Sequence, residues 1–293
     1  MTICMYRGGV KGMRLRIVQW NISAMSRPKA IADFIRERIG QEHVVVCLDE
    51  VKRSSYDKLV DSLEPQSSCF SLDLRLPGKN EGKERGTGVA VLGFGLSIVS
   101  FELMERTVFP ERTLFVLLGG SFGPIRVAAF HSLTGVGYHK GKATNFASIA
   151  DYLQLHGAEL DFLCFDANEP VQDSVDVDKI VFSSRDKGKV KKVALIMGKQ
   201  RVHKLSDSYV KYLRGRGEAP TRDPLAVSFK TGTPKKKRAE KRYDYIMHSP
   251  RWRVTNCEYP YDESSAASSD HSAVIADYEL RRGSTHAPST PSG

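Results

Sequence analysis

Acidic, amide and imidazole side chains recur at one kind of position in this chain, at the end of an apolar run or in the loop that follows it. The segments concerned read VQWN, CLDE, VAAFH, FLCFDAN and, before the last apolar run, SSDH. They place there Asn21, Glu50, His131, Asp166, Asn168, Asp270 and His271. In layered α/β folds the strand ends frame the ligand crevice, so we expect these side chains to converge on one face.

The types of these residues indicate the chemistry. A single Asp or Asn after a strand usually forms a turn or caps a helix, and this is the alternative explanation for each position taken alone. Five such positions in one chain favour a shared site. Oxygen ligands from Glu50, Asp270 and Asn21, without thiolates, suit Mg²⁺ or Mn²⁺ better than zinc. A divalent ion, two histidines and a basic surface together indicate phosphodiester chemistry.

Short β-rich runs along the whole chain are the elements that must position these groups. Several are almost continuously apolar, which is typical of strands covered on both faces. The predicted strands are Leu15–Trp20, Val44–Leu48, Gly88–Gly93, Thr113–Leu118, Ile125–His131, Asp161–Phe165, Tyr243–His248 and His271–Leu280. Helices are predicted over Pro28–Ile39 and Lys142–Leu155. The alternation of strands and helices, with short turns such as Gly119-Gly120-Ser121, predicts an α/β (α+β) fold with mixed sheets.

The positive charge of the chain is local. The sequence has 44 Lys+Arg and 34 Asp+Glu, a formal charge of +10, whereas residues 185–242 alone hold 19 Lys+Arg and 5 Asp+Glu, a charge of +14. This basic segment favours a polyanionic partner such as nucleic acid. Within it we predict a strand over Val193–Met197 and a helix over Leu205–Leu213, whose Tyr209 and Tyr212 would suit base stacking.

The remaining composition indicates a globular protein in a reducing compartment. The five cysteines, Cys4, Cys47, Cys69, Cys164 and Cys257, are an odd number without a C-x-x-C pair. We therefore expect reduced, buried cysteines and an intracellular location, cytoplasmic or nuclear. No apolar run is long enough to span a membrane, and residues 1–13 lack the apolar centre of a secretory signal. We expect these residues to be a flexible extension, residues 14–280 to form the folded domain and residues 281–293 a disordered tail; the oligomeric state is not indicated.

The order and spacing of QWN, LDEVK, FHSLTG, DAN, RYDYI and SDHSAV closely resemble the endonuclease/exonuclease/phosphatase superfamily. Deoxyribonuclease I, exonuclease III and the neutral sphingomyelinases are among its members. The resemblance runs from about Arg14 to Leu280. It implies a four-layer α/β/β/α sandwich of two packed mixed sheets flanked by helices, with the active site at one edge. It also implies metal-dependent hydrolysis of phosphoesters with Mg²⁺ or Mn²⁺.

The resemblance also implies a role for each matching residue. The metal-site residues are Asn21, Glu50 and Asp270, and the catalytic residues are His131, Asp166, Asn168, Asp244 and His271. Asp244 would orient His271, and the general base stays open between Asp166 and His271. Two positions depart from the family pattern, because Phe165 replaces the usual Gly and Asp49 replaces the usual Gln. Asp49 adds negative charge beside the site.

These observations predict a divalent-metal-dependent nuclease acting on DNA or RNA. A phosphatase or phospholipase of the same superfamily, with an inositol phosphate or a sphingomyelin-type substrate, is the second reading, and a catalytically silent nucleic-acid-binding module is the third. Predicted substrate contacts are Arg85, Lys235, Lys236, Lys237 and Arg238. For Arg85 an exposed position in a charged loop is the alternative, and Lys235–Arg238 could instead be a nuclear address.

Overall fold

The computed structural model describes residues 14–24, 26–40, 43–77, 86–134, 141–156, 159–183, 191–231 and 239–281. The N-terminal extension, the tail beyond residue 281, Arg85 and the basic run Lys235–Arg238 lie outside these ranges. The predictions made for them therefore stay predictions.

Strands dominate the described chain. The strands are β1 (Arg14–Asn21), β2 (Val44–Lys52), β3 (Ser67–Phe70), β4 (Thr87–Phe94), β5 (Ser97–Glu102), β6 (Thr113–Gly119), β7 (Ile125–His131), β8 (Phe162–Asp166), β9 (Ser206–Asp207), β10 (Phe229–Thr231), β11 (Ala239–Lys241), β12 (Asp244–His248), β13 (Trp252–Glu258) and β14 (Val274–Leu280). The helices are α1 (Pro28–Arg36), α2 (Arg53–Leu63), α3 (Ser71–Leu74), α4 (Gly141–His156), α5 (Ser208–Gly215) and α6 (Tyr261–Ala266). All eight predicted strands and both predicted helices outside the basic segment are present, with ends shifted by a few residues.

Two mixed six-stranded sheets form the centre of the fold. Their strand orders are β13-β14-β1-β2-β4-β3 and β5-β6-β7-β8-β12-β9. The pairs β1/β2 and β7/β8 are parallel, and their neighbours on both sides are antiparallel. The predicted hairpin around Gly119-Gly120-Ser121 joins β6 to β7.

Strand alternation divides the apolar side chains into three cores. In β1, Leu15 and Ile17 pack between the two sheets, whereas Val18 and Trp20 face α1 and α2 on the outside. The outer face of the second sheet packs against α4 through residues such as Phe146. Because both faces of each sheet are covered, near-continuous apolar strands are the expected sequence pattern. The predicted four-layer α/β/β/α sandwich is confirmed.

The basic segment differs from its prediction. The predicted strand Val193–Met197 is wrong, because a 3₁₀ turn spans Lys192–Leu195. Val193, Ile196 and Met197 all pack into the core beside α4, and the spacing of three and four residues between them is that of a helical face. The predicted helix Leu205–Leu213 begins three residues later. The side chain of Asp207 caps it by accepting hydrogen bonds from the backbone N–H groups of Tyr209 and Val210.

Two further expectations concern the cysteines and the membrane. Cys47, Cys69, Cys164 and Cys257 are buried and free, as predicted, while Cys4 lies outside the described residues. Within the described ranges, no helix combines the length and the apolar character needed to cross a membrane.

Candidate active site

Strand register brings three of the polar residues side by side in the second sheet. His131 at the end of β7 pairs with Asp166 at the end of the parallel strand β8. Asp166 in turn pairs with Asp244 at the start of the antiparallel strand β12. All three side chains are buried, with exposed fractions of 2%, 1% and 0%. The sheet therefore aligns an imidazole and two carboxylates in one row.

The first sheet contributes Asn21 and Glu50 from the carboxyl ends of β1 and β2. The Asn21 Nδ2 atom donates to Asp166 Oδ2 at 3.0 Å and to Glu50 Oε1 at 3.1 Å, so it joins the two sheets. The pairing of β2 with β4 shifts register between Leu48 and Val51, and Glu50 has a left-handed backbone with φ 56°. If side chains alternated regularly along β2, the Glu50 side chain would face the same side of the sheet as Leu48. The bulge instead brings its carboxylate to the row, at a backbone cost of about 1–3 kcal/mol.

His271 completes the row through Asp244. Its Nδ1 donates to Asp244 Oδ2 at 2.8 Å, and its Nε2 lies 3.9 Å from Asp166 Oδ2. Burial on its own lowers the pKa of His271, but Asp244 and Asp166 more than offset this and raise the pKa to about 10. The two carboxylates therefore favour the protonated imidazolium form of His271. On the other side of Asp166, His131 Nε2 lies 3.7 Å from Asp166 Oδ2 and 3.6 Å from Glu50 Oε1.

The loop that carries His271 is fixed to β1. Ser269 Oγ donates to the carbonyl of Asn21 at 2.6 Å and accepts from the backbone N–H of His271 at 3.0 Å. The indole N–H of Trp20 donates to the carbonyl of His271 at 2.9 Å. These bonds hold the backbone on both sides of the imidazole, so its position does not depend on the Asp244 contact alone.

Asn168 lies in a tight loop directly after β8. Its backbone N–H donates to Asp166 Oδ1 at 2.8 Å, and its side-chain Nδ2 is 3.3 Å from both Asp166 Oδ2 and the Ser132 carbonyl. The φ of 49° is one that Asn tolerates better than most residues. The loop thus returns the amide towards the carboxylate two residues earlier.

Comparisons with known proteins concern the fold. No protein-family model matches the chain, and no curated protein matches it in sequence. Among solved structures, the TDP2 of D. rerio complexed with a single strand DNA product is 13% identical, with a TM-score of 0.59 over 91% of this chain and 99% of that one. ANGEL2, a 2′,3′-cyclic phosphatase in complex with adenosine-2′,3′-vanadate, is 16% identical, with a TM-score of 0.60 over 92% and 97%.

A third similar structure is that of a protein assigned to a family. It is an endonuclease/exonuclease/phosphatase family protein from Bacteroides thetaiotaomicron, 15% identical, with a TM-score of 0.57 over 92% of this chain and 99% of that one. The chain has the endonuclease/exonuclease/phosphatase fold. The site described above lies at the strand ends of its two central sheets.

Most of the residues predicted for an endonuclease/exonuclease/phosphatase site come together. The group contains Asn21, Glu50, His131, Asp166, Asn168, Asp244 and His271. Asp270 differs, because its side chain is exposed and has no hydrogen bond within the described chain. Its one described effect is electrostatic, as the last of the groups that raise the pKa of His271.

The residues present fit a divalent cation. Side-chain atoms of Asp166, Asp244 and His271 all lie within 4.8 Å of one another, and Asp244 Oδ1 is buried without a hydrogen-bond partner in the described chain. Each of these three side chains could offer one ligand atom, although the His271 nitrogen must give up its proton to do so. The carboxylate of Glu50 is the kind of hard donor that Mg²⁺ or Mn²⁺ prefers. The amide oxygen of Asn21, also a hard donor, accepts from the backbone N–H of Ser23 at 3.0 Å in this structure.

Three further groups around the site were not predicted from sequence. The Lys142 Nζ in α4 donates to the carbonyl of Asn168 at 2.7 Å and lies 2.9 Å from Glu169 Oε1. This buried ion pair holds the Asn168 loop. A lysine on the helix face that also carries Phe146 and Ile149 was the available signal, since a charge on an apolar face needs a partner.

Gln19 and Asp49 form the second group, beneath the row. Asp49 Oδ2 accepts from Gln19 Nε2 at 2.6 Å and from the backbone N–H of Asp166 at 3.2 Å. Burial, together with the charges of Asp166 and Asp244, raises the pKa of Asp49 well above its usual range. The departure from the family's Gln at this position is therefore accommodated by a matching amide, that of Gln19, on β1.

An aromatic wall is the third group. The ring of Phe229 lies 4.6 Å from that of His271 and stacks on Tyr243 at 5.7 Å between centroids. Phe229 precedes and Tyr243 follows residues 232–238, which lie outside the described ranges. Phe229 belongs to no motif singled out in the sequence, and the motif RYDYI marked Asp244 as a site residue but not its neighbour Tyr243.

Proposed function

We propose that this protein is a divalent-metal-dependent phosphodiesterase, and specifically a nuclease that acts on DNA or RNA. The observation that carries the proposal is the buried His271–Asp244 pair beside Asp166, with Glu50 facing it from the other sheet. Phosphodiester hydrolysis needs a water that loses a proton, charge neutralisation on the phosphate oxygens and a stabilised leaving oxygen. The row contains a group suited to each of these three requirements.

The protonation states favour one division of labour. His271 is positively charged, so it suits stabilisation of negative charge on the phosphate better than proton abstraction. Asp166 is the acceptor for the proton of the attacking water, and Asn168 orients the phosphate beside it. His131 faces Asp166 from the opposite side to His271 and would protonate the leaving oxygen.

Glu50 and Asn21 would hold the metal ion, and Asp270 stays a predicted third ligand. Bound Mg²⁺ or Mn²⁺ would supply positive charge at a non-bridging phosphate oxygen. Without it, the carboxylates of Glu50, Asp166 and Asp244 would meet a dianionic transition state with only two imidazoles to balance them.

Nucleic acid is the substrate class that the rest of the chain favours. The +14 charge of residues 185–242 is the largest local excess in the sequence. The named neighbours include a protein complexed with a single strand DNA product and one with an adenosine-2′,3′-vanadate. The second of these is named a 2′,3′-cyclic phosphatase, so hydrolysis of a cyclic phosphate at an RNA end is the second candidate. A silent binding module is disfavoured because it would have no use for the complete row.

One assay separates these candidates. The purified full chain is incubated with plasmid DNA, single-stranded DNA, RNA, a 2′,3′-cyclic nucleotide, inositol phosphates and sphingomyelin, each with Mg²⁺, Mn²⁺ or EDTA. We expect cleavage of a nucleic acid that EDTA abolishes. Turnover of a lipid or an inositol phosphate alone would overturn the nuclease proposal, and tight nucleic-acid binding without turnover would favour the silent module.

The predicted substrate contacts Lys235–Arg238 have a test of their own. We expect their replacement by Gln to raise the KM for nucleic acid and to flatten its salt dependence, because fewer counterions would be released on binding. Hydrolysis of a small phosphodiester should stay nearly unchanged. Equal losses on both substrates would show that these charges serve the fold or the metal site.

A further inference from the structure

A cavity lies apart from the row that contains Asp166, Asp244 and His271. It is bounded by α5, the loop after Asp173 and the turn that follows Lys192–Leu195. Its volume is about 140 Å³. Much of its lining is apolar and includes Val177, Met197, Val210 and Met247. A cavity of about this size holds one benzene-sized ring.

Three exposed cations, Arg201, Lys211 and Arg214, also line this cavity. None of them forms an ion pair with a carboxylate within the described ranges, and Arg214 donates only to the carbonyl of Val175, at 2.8 Å. Other basic residues nearby are neutralised. Lys199 lies 3.2 Å from Asp178, and Arg216 lies 2.6 Å from Glu218.

The acidic residue of the lining cancels only part of this charge. Asp207 shares the buried guanidinium of Arg242 with Asp173, at 2.9 Å and 2.7 Å, so the two carboxylates leave one negative charge against the three exposed cations. The cavity therefore combines an apolar interior with an excess of positive charge. This combination fits an anion that carries one flat apolar ring.

We propose that this cavity binds one nucleotide unit of a nucleic acid, with the base inside and the neighbouring phosphates on Arg201, Lys211 and Arg214. The inference rests on the proposed function, because it makes the cavity a substrate subsite. Its lining includes Ser174, six residues after Asn168, and Arg242, two residues before Asp244. The lining also includes Tyr245 and Met247 of β12, the strand that begins at Asp244.

The test separates the ring from the charge. V210F adds a ring to the cavity and keeps the cations, whereas the triple variant R201Q/K211Q/R214Q removes the cations and keeps the cavity. A matched triple, R14Q/K58Q/R106Q, removes three exposed positive charges elsewhere. V177F fills the cavity from a different element and guards against a folding defect peculiar to V210F.

The measurement is the binding of a fluorescent single-stranded oligonucleotide to each full-length variant, in EDTA, over a range of salt concentrations. We expect V210F and V177F each to raise the Kd about 10-fold, as loss of one base contact does, without changing the salt slope. The cation triple should raise the Kd and reduce the salt slope by up to about 2. The matched triple should bind like the wild type.

Several results would overturn the inference. One is wild-type affinity for the oligonucleotide in both V210F and V177F. Another is an equal loss of oligonucleotide affinity in the matched triple. A third is that the cavity and cation variants lose binding to anionic phospholipid vesicles but keep oligonucleotide binding. Hydrolysis of bis(p-nitrophenyl) phosphate is measured in parallel and should be the same in all variants. A wild-type protein that hydrolyses no phosphodiester would refute the proposed function, whereas a hydrolysing protein whose V210F and V177F variants both bind like the wild type would refute this inference alone.

Discussion

Two regions of the molecule hold their charged side chains in opposite ways. They are the row that contains Asp166, Asp244 and His271, proposed as catalytic, and the cavity beside α5. In the row, buried carboxylates and imidazoles are fixed by strand register and by bonds to one another, as in the contact of Asp244 with His271. Around the cavity, the exposed cations Lys211 and Arg214 lie on α5 and Arg201 lies in the loop before it, without carboxylate partners in the described chain. Bond cleavage needs atoms held in place, whereas a flexible polyanion needs only accessible charge and room for a base. Variants should therefore affect turnover in the first region and affinity in the second.

The largest effect is expected from the row itself. His271→Ala removes the cation held by Asp244, and we expect kcat to fall by about 10³-fold while the circular dichroism spectrum stays unchanged. His156→Ala, at the exposed end of α4, is the control and should keep full activity. Activity of His271→Ala within tenfold of the wild type would contradict a catalytic role for this residue.

Glu50→Gln tests the predicted metal site. The concentration of Mg²⁺ needed for half-maximal activity should rise at least about 100-fold, because losing a group that merely supports a metal ligand already costs 10- to 100-fold. The exposed Glu37→Gln variant serves for comparison. Superimposable Mg²⁺ activation curves for Glu50→Gln and the wild type would remove Glu50 from the metal site.

The ion pair between Lys142 and Glu169 allows an effect on the position of the Asn168 loop to be separated from an effect on stability. Lys142→Met leaves Glu169 buried without a counter-charge, which should cost about 3–5 kcal/mol of stability, and it frees the Asn168 carbonyl. We expect kcat to fall about 10-fold with little change in KM.

The double variant Lys142→Met/Glu169→Gln separates the two roles. It should recover much of the free energy of unfolding, measured by urea denaturation, but not kcat. Recovery of both quantities would mean that Lys142 only stabilises the fold.

A smaller effect is expected from His203, near the cavity. Burial lowers its pKa to about 4, and its neutral form donates from Nε2 to the Ile196 carbonyl and accepts at Nδ1 from the Leu205 N–H. The unfolded chain, with an ordinary histidine pKa, binds the proton more readily, so stability is fully present above about pH 6.5 and is lost as the pH falls towards 4. The loss should approach roughly 3 kcal/mol.

Urea denaturation at pH 7.5 and pH 5 measures this loss, and His203→Asn should remove most of the His203 contribution to the difference. His248, whose pKa burial also lowers to about 4, will contribute a similar slope of its own. An unchanged pH dependence in His203→Asn would mean that His203 titrates normally in the folded protein.

Much of the row could be predicted because its information is local. An apolar run ending in Asp166 or His131 marks a strand end directly, and parallel neighbours bring such ends together. Asp270 was predicted at the metal site, but its side chain is exposed. Two adjacent polar residues point in different directions here, and only the folded loop shows that His271 is the one that faces the row.

The groups that support the row depend on tertiary contacts and were missed. Lys142 resembles an ordinary helix lysine until the Asn168 carbonyl and Glu169 are placed beside it. Gln19 and Asp49 become a pair only when β1 and β2 align. In the basic segment, the apolar spacing of Val193, Ile196 and Met197 fits a helical face as well as a strand, and packing against α4 decided between them.

The most direct test of the central claim is hydrolysis of bis(p-nitrophenyl) phosphate by the full chain with Mg²⁺, with Mn²⁺ and with EDTA, beside the variant Asp166→Asn. The account predicts release of p-nitrophenol with at least one of the two metals, none in EDTA and a loss of at least about 100-fold in Asp166→Asn. Equal hydrolysis in EDTA, or full activity in Asp166→Asn, would contradict metal-dependent catalysis at the strand-end site.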